Sequence, residues 1–106
     1  MKNTIRAILL ANVLLLGFAA PVQADEDDPQ KITEMAKSFG LISLDQAQTK
    51  ALAAKPGVVK EVELEGRKFS KGWDYEFEIV DADGQEWEVN IDAKSGAVTS
   101  VRRDWF

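Results

Sequence analysis

The spacing of apolar residues along the chain changes from a helical period to a strand period near residue 58. Before that point, Ile32, Met35 and Phe39 recur at the spacing of one helical face. This pattern predicts an amphipathic helix over residues 29–40. A helix this short is only marginally stable alone in water, and we therefore expect its apolar edge to pack against the rest of the same chain.

A second helix is predicted between a capping box and a Pro-Gly pair. Ser43 and Gln46 have the spacing at which each side chain can bond to the backbone N–H of the other residue. Apolar residues then continue along one edge up to Ala54, and Pro56 with Gly57 ends the helix.

Four segments in which apolar and polar residues alternate follow the helices, with the period of β-strands. They run over residues 58–65, 73–80, 85–92 and 97–103. Asp83-Gly84 and Ser95-Gly96 are tight-turn sequences, and connections this short place consecutive strands side by side and antiparallel. The predicted fold class is therefore α+β, with N-terminal helices packed on one face of a four-stranded antiparallel meander sheet.

The alternation gives the two faces of the predicted sheet opposite chemistry. Tyr75, Phe77 and Ile79 share one face, which we expect the helices to cover. The candidate binding residues are nine carboxylates expected on the other face: Glu61, Glu63, Glu65, Asp74, Glu76, Glu78, Glu86, Glu88 and Asp92. Two interpretations stay open, because a solvated face and a docking surface for a cationic partner or a loosely held divalent cation have the same pattern. Lys60 interrupts the apolar row and predicts a bulge or a frayed start of the first strand.

The first 24 residues have the three regions of a secretory signal peptide. Lys2 and Arg6 give a positive start, an apolar run follows, and Val22 and Ala24 are the small residues before the expected cut. The apolar run is shorter than the roughly 20 residues that a membrane-spanning helix needs. We therefore predict cleavage after Ala24, a periplasmic or secreted product, and no stable membrane anchor after cleavage.

The part of the chain after the predicted cut is strongly acidic. Residues 25–28 are all acidic, which predicts a disordered arm before the first helix, and residues 41–106 form the predicted main domain. The sequence has 106 residues, with 13 Lys and Arg against 18 Asp and Glu, and the cut removes two of the basic residues. The resulting net charge of about −7 argues against binding to nucleic acid or anionic lipid, because both need a basic surface.

The chain contains no Cys and no His. Thiolate chemistry, His-based acid/base catalysis and the usual zinc sites are therefore excluded. Paired carboxylates could serve a hydrolase, but carboxylates on an open strand face lack a pocket that would separate their pKa values. The stretch from Asp81 to Gly84 has part of a calcium-loop pattern without the closing Glu, so a hairpin turn is predicted instead. We expect no catalytic residues, no metal site, no cofactor and no enzymatic activity.

Residues 42–104 resemble a PepSY domain. The matching stretches are Ile42 to Ala47, Gly57 to Leu64, Tyr75 to Ile79 and Trp87 to Val98, of which the last, with its Asp-Ala-x-x-Gly turn between two strands, is the most specific. The resemblance implies an extracytoplasmic α+β domain of the kind found in propeptides of secreted metallopeptidases and in standalone envelope proteins. It also implies an inhibitory or regulatory protein-binding role without catalytic residues. Because no peptidase domain follows Phe106, we expect any inhibition to act on a separate molecule.

These features together predict a small periplasmic, non-catalytic binding module that modulates another envelope protein, such as a peptidase or a sensor. The contact would use the acidic sheet face, an edge strand or the terminal Trp105-Phe106 pair. The alternative is a periplasmic protein that responds to a cation or a small ligand through the same carboxylates.

Overall fold

The computed structural model describes the backbone of residues 4–7 and all of residues 29–104. Within these ranges the elements are β1 (Thr4–Ala7), α1 (Pro29–Ser38), α2 (Leu44–Ala54), β2 (Val58–Gly66), β3 (Trp73–Val80), β4 (Glu86–Asp92) and β5 (Val98–Arg103). Each strand pairs antiparallel with the next in chain order. The predicted α+β fold, with two helices before a four-stranded meander, is confirmed.

Helix α1 packs against the rest of the chain through its apolar edge. Ile32 and Ala36 are buried, and Ile32 belongs to the main core. The helix ends at Ser38, two residues before the predicted boundary, and the chain turns at Gly40 with a φ of 67°. Beyond the end of the helix, the Phe39 ring stacks on Trp73 with 5.0 Å between ring centroids.

Helix α2 begins with the predicted capping box. Gln46 N donates to Ser43 Oγ at 3.0 Å, and Ser43 N donates to Gln46 Oε1 at 3.1 Å. Both bonds satisfy backbone donors that have no partner inside the helix. The buried edge of α2 includes Ala47 and Ala51, whose small side chains let the helix lie close to the sheet.

The core lies between the helices and one face of the sheet. Seven strand side chains are fully buried there: Val62, Leu64, Tyr75, Phe77, Ile79, Val89 and Ile91. The Tyr75 hydroxyl donates to the carbonyl of Ile42 at 2.8 Å, and Ile42 N donates to the carbonyl of Ala93 at 2.8 Å. These two bonds tie the connection between the helices to the sheet. Burial raises the pKa of Tyr75 to about 12.

A bulge interrupts β2 at Lys60, as its break in the alternation predicts. The register with β3 shifts between Val59 and Glu61. Because the extra residue re-aims the Lys60 side chain, its ammonium leaves the apolar row and donates to Glu86 Oε2 at 3.1 Å.

One strand was not predicted. Thr4–Ala7, inside the predicted signal peptide, pairs with the outer edge of β2, so the sheet has a fifth strand among the described residues. The predicted cut after Ala24, the arm of residues 25–28 and the pair Trp105-Phe106 lie outside the described residues. No helix within the described ranges is long and apolar enough to cross a membrane.

Candidate functional site

The nine predicted carboxylates lie on the sheet face opposite the helices, which is called the acidic face below. Directly paired residues of antiparallel strands share a face, and β3 alternates buried side chains with half-exposed ones. The register arranges the acidic face in three rows across the strands, with Glu86 at one end. These rows are Glu65, Asp74 and Asp92; Glu63, Glu76, Asn90 and Ser100; and Glu61, Glu78, Glu88 and Arg102.

Arg67 connects two carboxylates of the first row. Its Nε and Nη2 atoms donate to the two oxygens of Asp74 at 3.0 and 2.7 Å, and Nη2 also donates to Asp92 Oδ2 at 2.7 Å. Bonds to Asp74 and then to Asp92 raise the pKa of Arg67. Since Gly72 has a φ of 122° and a side chain there would meet Arg67 Nη1 at 2.7 Å, the glycine leaves room for the guanidinium. The Arg67 side chain therefore connects the β2–β3 loop to β3 through Asp74 and to β4 through Asp92.

Asp92 also holds the turn between β4 and β5. Its Oδ1 accepts bonds from Lys94 N at 2.9 Å and Ser95 N at 2.8 Å. The backbone bond from Ser95 and then the side-chain bond from Arg67 lower the pKa of Asp92 well below its ordinary range. Asp92 and Asp74 are therefore structural acids, and Arg67 offsets part of the negative charge that they present to a partner.

Glu76 lies in the middle row near the centre of the acidic face. Burial, followed by the negative charges of Glu88, Glu63 and Glu65, raises the pKa of Glu76 to about 7. The pKa of Glu78 in the next row is also raised, first by burial and then by the charge of Glu61. The centre of this face is therefore a place where ionised carboxylates repel one another.

We expect Glu76→Gln to stabilise the protein above neutral pH. Because the folded-state pKa of Glu76 is raised from 4.5 to about 7, its protonation stabilises the fold at low pH, and this contribution is lost as pH rises through that window. Glu76 is partly exposed, so solvent screening leaves an expected gain of about 1 kcal/mol in the free energy of unfolding at pH 8.

Thermal melts at pH 5 and pH 8 measure this effect. The variant should exceed the wild type at pH 8 by roughly 4–8 °C in Tm, and the gap should narrow at pH 5. Glu34→Gln on the exposed side of α1 is the matched control and should show no such pH dependence. An equal gain at both pH values would contradict the account of Glu76.

Two further cations lie at the margins of the acidic face. Arg102 bonds to Glu88, and Lys60 bonds to Glu86 at 3.1 Å. Glu78, Glu86 and Asp104 can each bring one carboxylate oxygen within 4.8 Å of the others. Since the Lys60 ammonium already supplies a positive charge to this group, we assign no metal to it.

The stretch from Asp81 to Gly84 forms the predicted hairpin turn. Asp81 Oδ1 accepts bonds from Asp83 N and Gln85 N, both at 2.9 Å, and Gly84 N donates to the Asp81 carbonyl at 3.0 Å. The other oxygen, Oδ2, accepts a bond from Trp87 Nε1 at 2.9 Å. The carboxylate thus organises the turn, and its bond to Trp87 could not be predicted from the spacing of the two residues.

Comparisons with known proteins give two matches. The family described as "Peptidase propeptide and YPEB domain" (PepSY) matches residues 41–102. A crystal structure of a "putative lipoprotein" from Clostridium difficile 630 is similar, with 31% identity and a TM-score of 0.54. That match covers 60% of this chain and 40% of the other, so the chain corresponds to about two fifths of that protein. No curated protein matches the sequence significantly.

Proposed function

The chain belongs to the peptidase propeptide and YPEB (PepSY) domain family, and from this premise we propose that it is a small, non-catalytic module that binds and regulates another protein of the bacterial envelope. The family occurs in peptidase propeptides and in regulatory modules. A peptidase or a sensor is therefore the proposed class of partner.

The acidic face is the proposed contact surface. The helices cover the other face of the sheet, and no described helix covers the carboxylate rows of β3 and β4. The observation that carries this proposal is the register that brings Glu63, Glu76 and Glu78 together at the centre of the acidic face. Burial and then the negative charges of neighbouring glutamates raise the pKa of Glu76 and of Glu78 there. A partner that brings Lys or Arg to this surface relieves the repulsion, and association is then favoured and accelerated.

The proposed location is the periplasm or the exterior of the cell, after cleavage of residues 1–24. The three-region pattern of the leader supports it. The similar Clostridium difficile protein carries the description of a lipoprotein, which is compatible with an envelope location.

A pull-down from native envelope extract tests the proposed function. The wild-type protein serves as the bait and is compared with a variant that lacks three central carboxylates. That variant carries the substitutions Glu63→Gln, Glu76→Gln and Glu78→Gln. We expect partner recovery to fall by about tenfold, which corresponds to about 1.4 kcal/mol, and the binding of the wild type to weaken with added salt. Removing these repelling charges should not destabilise the fold, so the loss would report on binding.

A second variant with the same change in charge serves as the control. Glu34→Gln, Asp45→Asn and Asp83→Asn neutralise three exposed carboxylates on the helices and in the β3–β4 turn. This variant should recover the partner as the wild type does. Equal recovery by all three baits would dismiss the acidic face as the docking site, and absence of any specific partner would contradict the proposed function.

The cation-responsive alternative has less support from the described residues. It needs carboxylates arranged around a vacant cation position, whereas Lys60 bonds within the group of Glu78, Glu86 and Asp104. Arg67 likewise takes the oxygens of Asp74 and Asp92. The structure thus provides internal cations for these carboxylates, and we favour a protein partner.

A further inference from the structure

The outer edge of β2 accepts an added strand. In the structure this place is taken by Thr4–Ala7, which pairs antiparallel with Val62 to Glu65, so that Ile5 lies opposite Leu64 and Arg6 opposite Glu63. These four residues belong to the leader whose removal is predicted. Once the leader is removed, the backbone N–H and C=O groups of Val62 to Glu65 that face this edge lack the β1 partner, and β2 contains no proline that would prevent another strand from pairing there.

The two sides of β2 define what can be added there. Val62 and Leu64 are fully buried on the helix side, and Glu61, Glu63 and Glu65 lie on the acidic face. Because paired residues share a face, an incoming strand meets the apolar core with every second side chain and carboxylates with the others. The edge therefore suits a segment in which apolar and cationic residues alternate.

We propose that the β2 edge binds an extended segment of the partner protein by β-strand addition, and that this segment alternates apolar with cationic side chains. This inference rests on the proposed function and adds the binding mode. The other edge of the sheet differs in charge, since β5 has the sequence Val-Thr-Ser-Val-Arg-Arg and no acidic residue. Charge complementarity thus assigns a cationic segment to β2, where main-chain bonds supply affinity and alternate side chains supply specificity.

A competition experiment on the full chain tests this mode. The variant Ile5→Pro/Ala7→Pro removes two backbone donors from β1, which should unpair it from β2. The probe is a fluorescently labelled synthetic peptide with the sequence of residues 2–9, Lys-Asn-Thr-Ile-Arg-Ala-Ile-Leu. We expect the variant to bind the peptide at least about tenfold more tightly than the wild type, whose own segment competes at high effective concentration.

Two controls show whether binding is strand addition. A peptide with proline at the positions of Ile5 and Ala7 should not bind, since it cannot pair along the edge. In the unpaired variant, Glu63→Gln should weaken peptide binding by about threefold, whereas Asp83→Asn should leave it unchanged. Hydrogen exchange at the β2 amides should slow when the peptide is bound.

If the double-proline chain fails to fold, Ile5→Glu/Ala7→Glu replaces it, because charges opposite buried Leu64 and Val62 also disfavour pairing of β1.

The outcomes separate this inference from the proposed function. Absence of peptide binding by the unpaired variants, or equal binding of the proline peptide, overturns strand addition. If the unpaired variant dimerises and does not bind the peptide, the β2 edge pairs with a second copy of the chain, and this result also overturns the proposed binding of a partner segment. In either case the proposed function stands if the pull-down still recovers a specific partner, and it fails if no specific partner is recovered.

Discussion

Replacing Phe77 with alanine should lower the free energy of unfolding by about 3–5 kcal/mol. Phe77 is fully buried at the middle of β3, and its ring lies 6.1 Å from that of Tyr75. The substitution removes the transfer free energy of the ring and leaves a cavity between the sheet and the helices, which a close-packed core cannot fill completely. Because small domains have total stabilities of about 5–15 kcal/mol, this one change removes a large part of the stability.

Phe69 provides the matched control for this substitution. It lies in the β2–β3 loop and is 97% exposed, so Phe69→Ala should change the free energy of unfolding by less than about 0.5 kcal/mol. Urea denaturation followed by tryptophan fluorescence measures both variants. Similar losses for Phe77→Ala and Phe69→Ala would mean that the aromatic face of β3 is not the core.

Replacing Arg67 with alanine should cost about 2 kcal/mol, the second largest effect expected. The substitution removes three bonds to carboxylates and one to the Lys71 carbonyl, and it leaves Asp74 and Asp92 side by side in one row without the cation between them. The expected loss in the free energy of unfolding is smaller than the sum of the separate bonds, because the guanidinium is partly exposed and screened by solvent. The loop from Gly66 to Gly72 should also loosen, which would show as faster hydrogen exchange at its amides.

Arg67→Lys should recover less than half of that loss. An ammonium group cannot donate in the planar, bidentate manner to Asp74 while also reaching Asp92. Lys68→Ala, the exposed neighbouring position, is the charge-matched control and should be close to neutral. The advantage of the wild type over Arg67→Ala should shrink as pH falls below about 4, because the pKa of Asp92 is lowered in the fold and its protonation at low pH weakens the bond to Arg67. If Lys68→Ala were as damaging as Arg67→Ala, the bridge would not be what holds the loop.

Local signals in the sequence predicted most of the fold. The capping box of Ser43 and Gln46 acts over one helical turn, and the alternation in β3 needs no partner strand to be recognised, so both could be inferred from neighbouring residues alone. The bulge at Lys60 followed in the same way, because a lysine in an apolar row has no favourable place in a regular strand.

Long-range features could not be predicted in this way. The bonds of Arg67 to Asp74 and Asp92 require the register of three strands and a loop that turns at Gly72. β1 alternates polar and apolar residues, but it has only four residues and lies more than fifty positions from its partner, so no local pattern identified it.

The nine carboxylates share one face of the sheet, as the alternation predicts, but the sequence does not divide them into roles. The sequence treats its nine carboxylates alike, whereas the structure separates acids that hold loops and turns from acids at the repelling centre. Asp74 and Asp92 belong to the first kind, and Glu76 and Glu78 belong to the second. This division depends on which carboxylates the Arg67 side chain bonds. Mutagenesis of the proposed contact surface should therefore start with the central glutamates.

Site-specific photo-crosslinking in the native envelope tests the central claim, that the acidic face contacts the partner, most directly. A photoreactive phenylalanine is placed at Ser100, in the same row as Glu76, or at Thr49 on the exposed surface of α2. We predict a crosslinked partner from position 100 that disappears when Glu63, Glu76 and Glu78 are changed to Gln, and none from position 49. A crosslink from position 49 alone, or equal crosslinks from both positions, would contradict the claim.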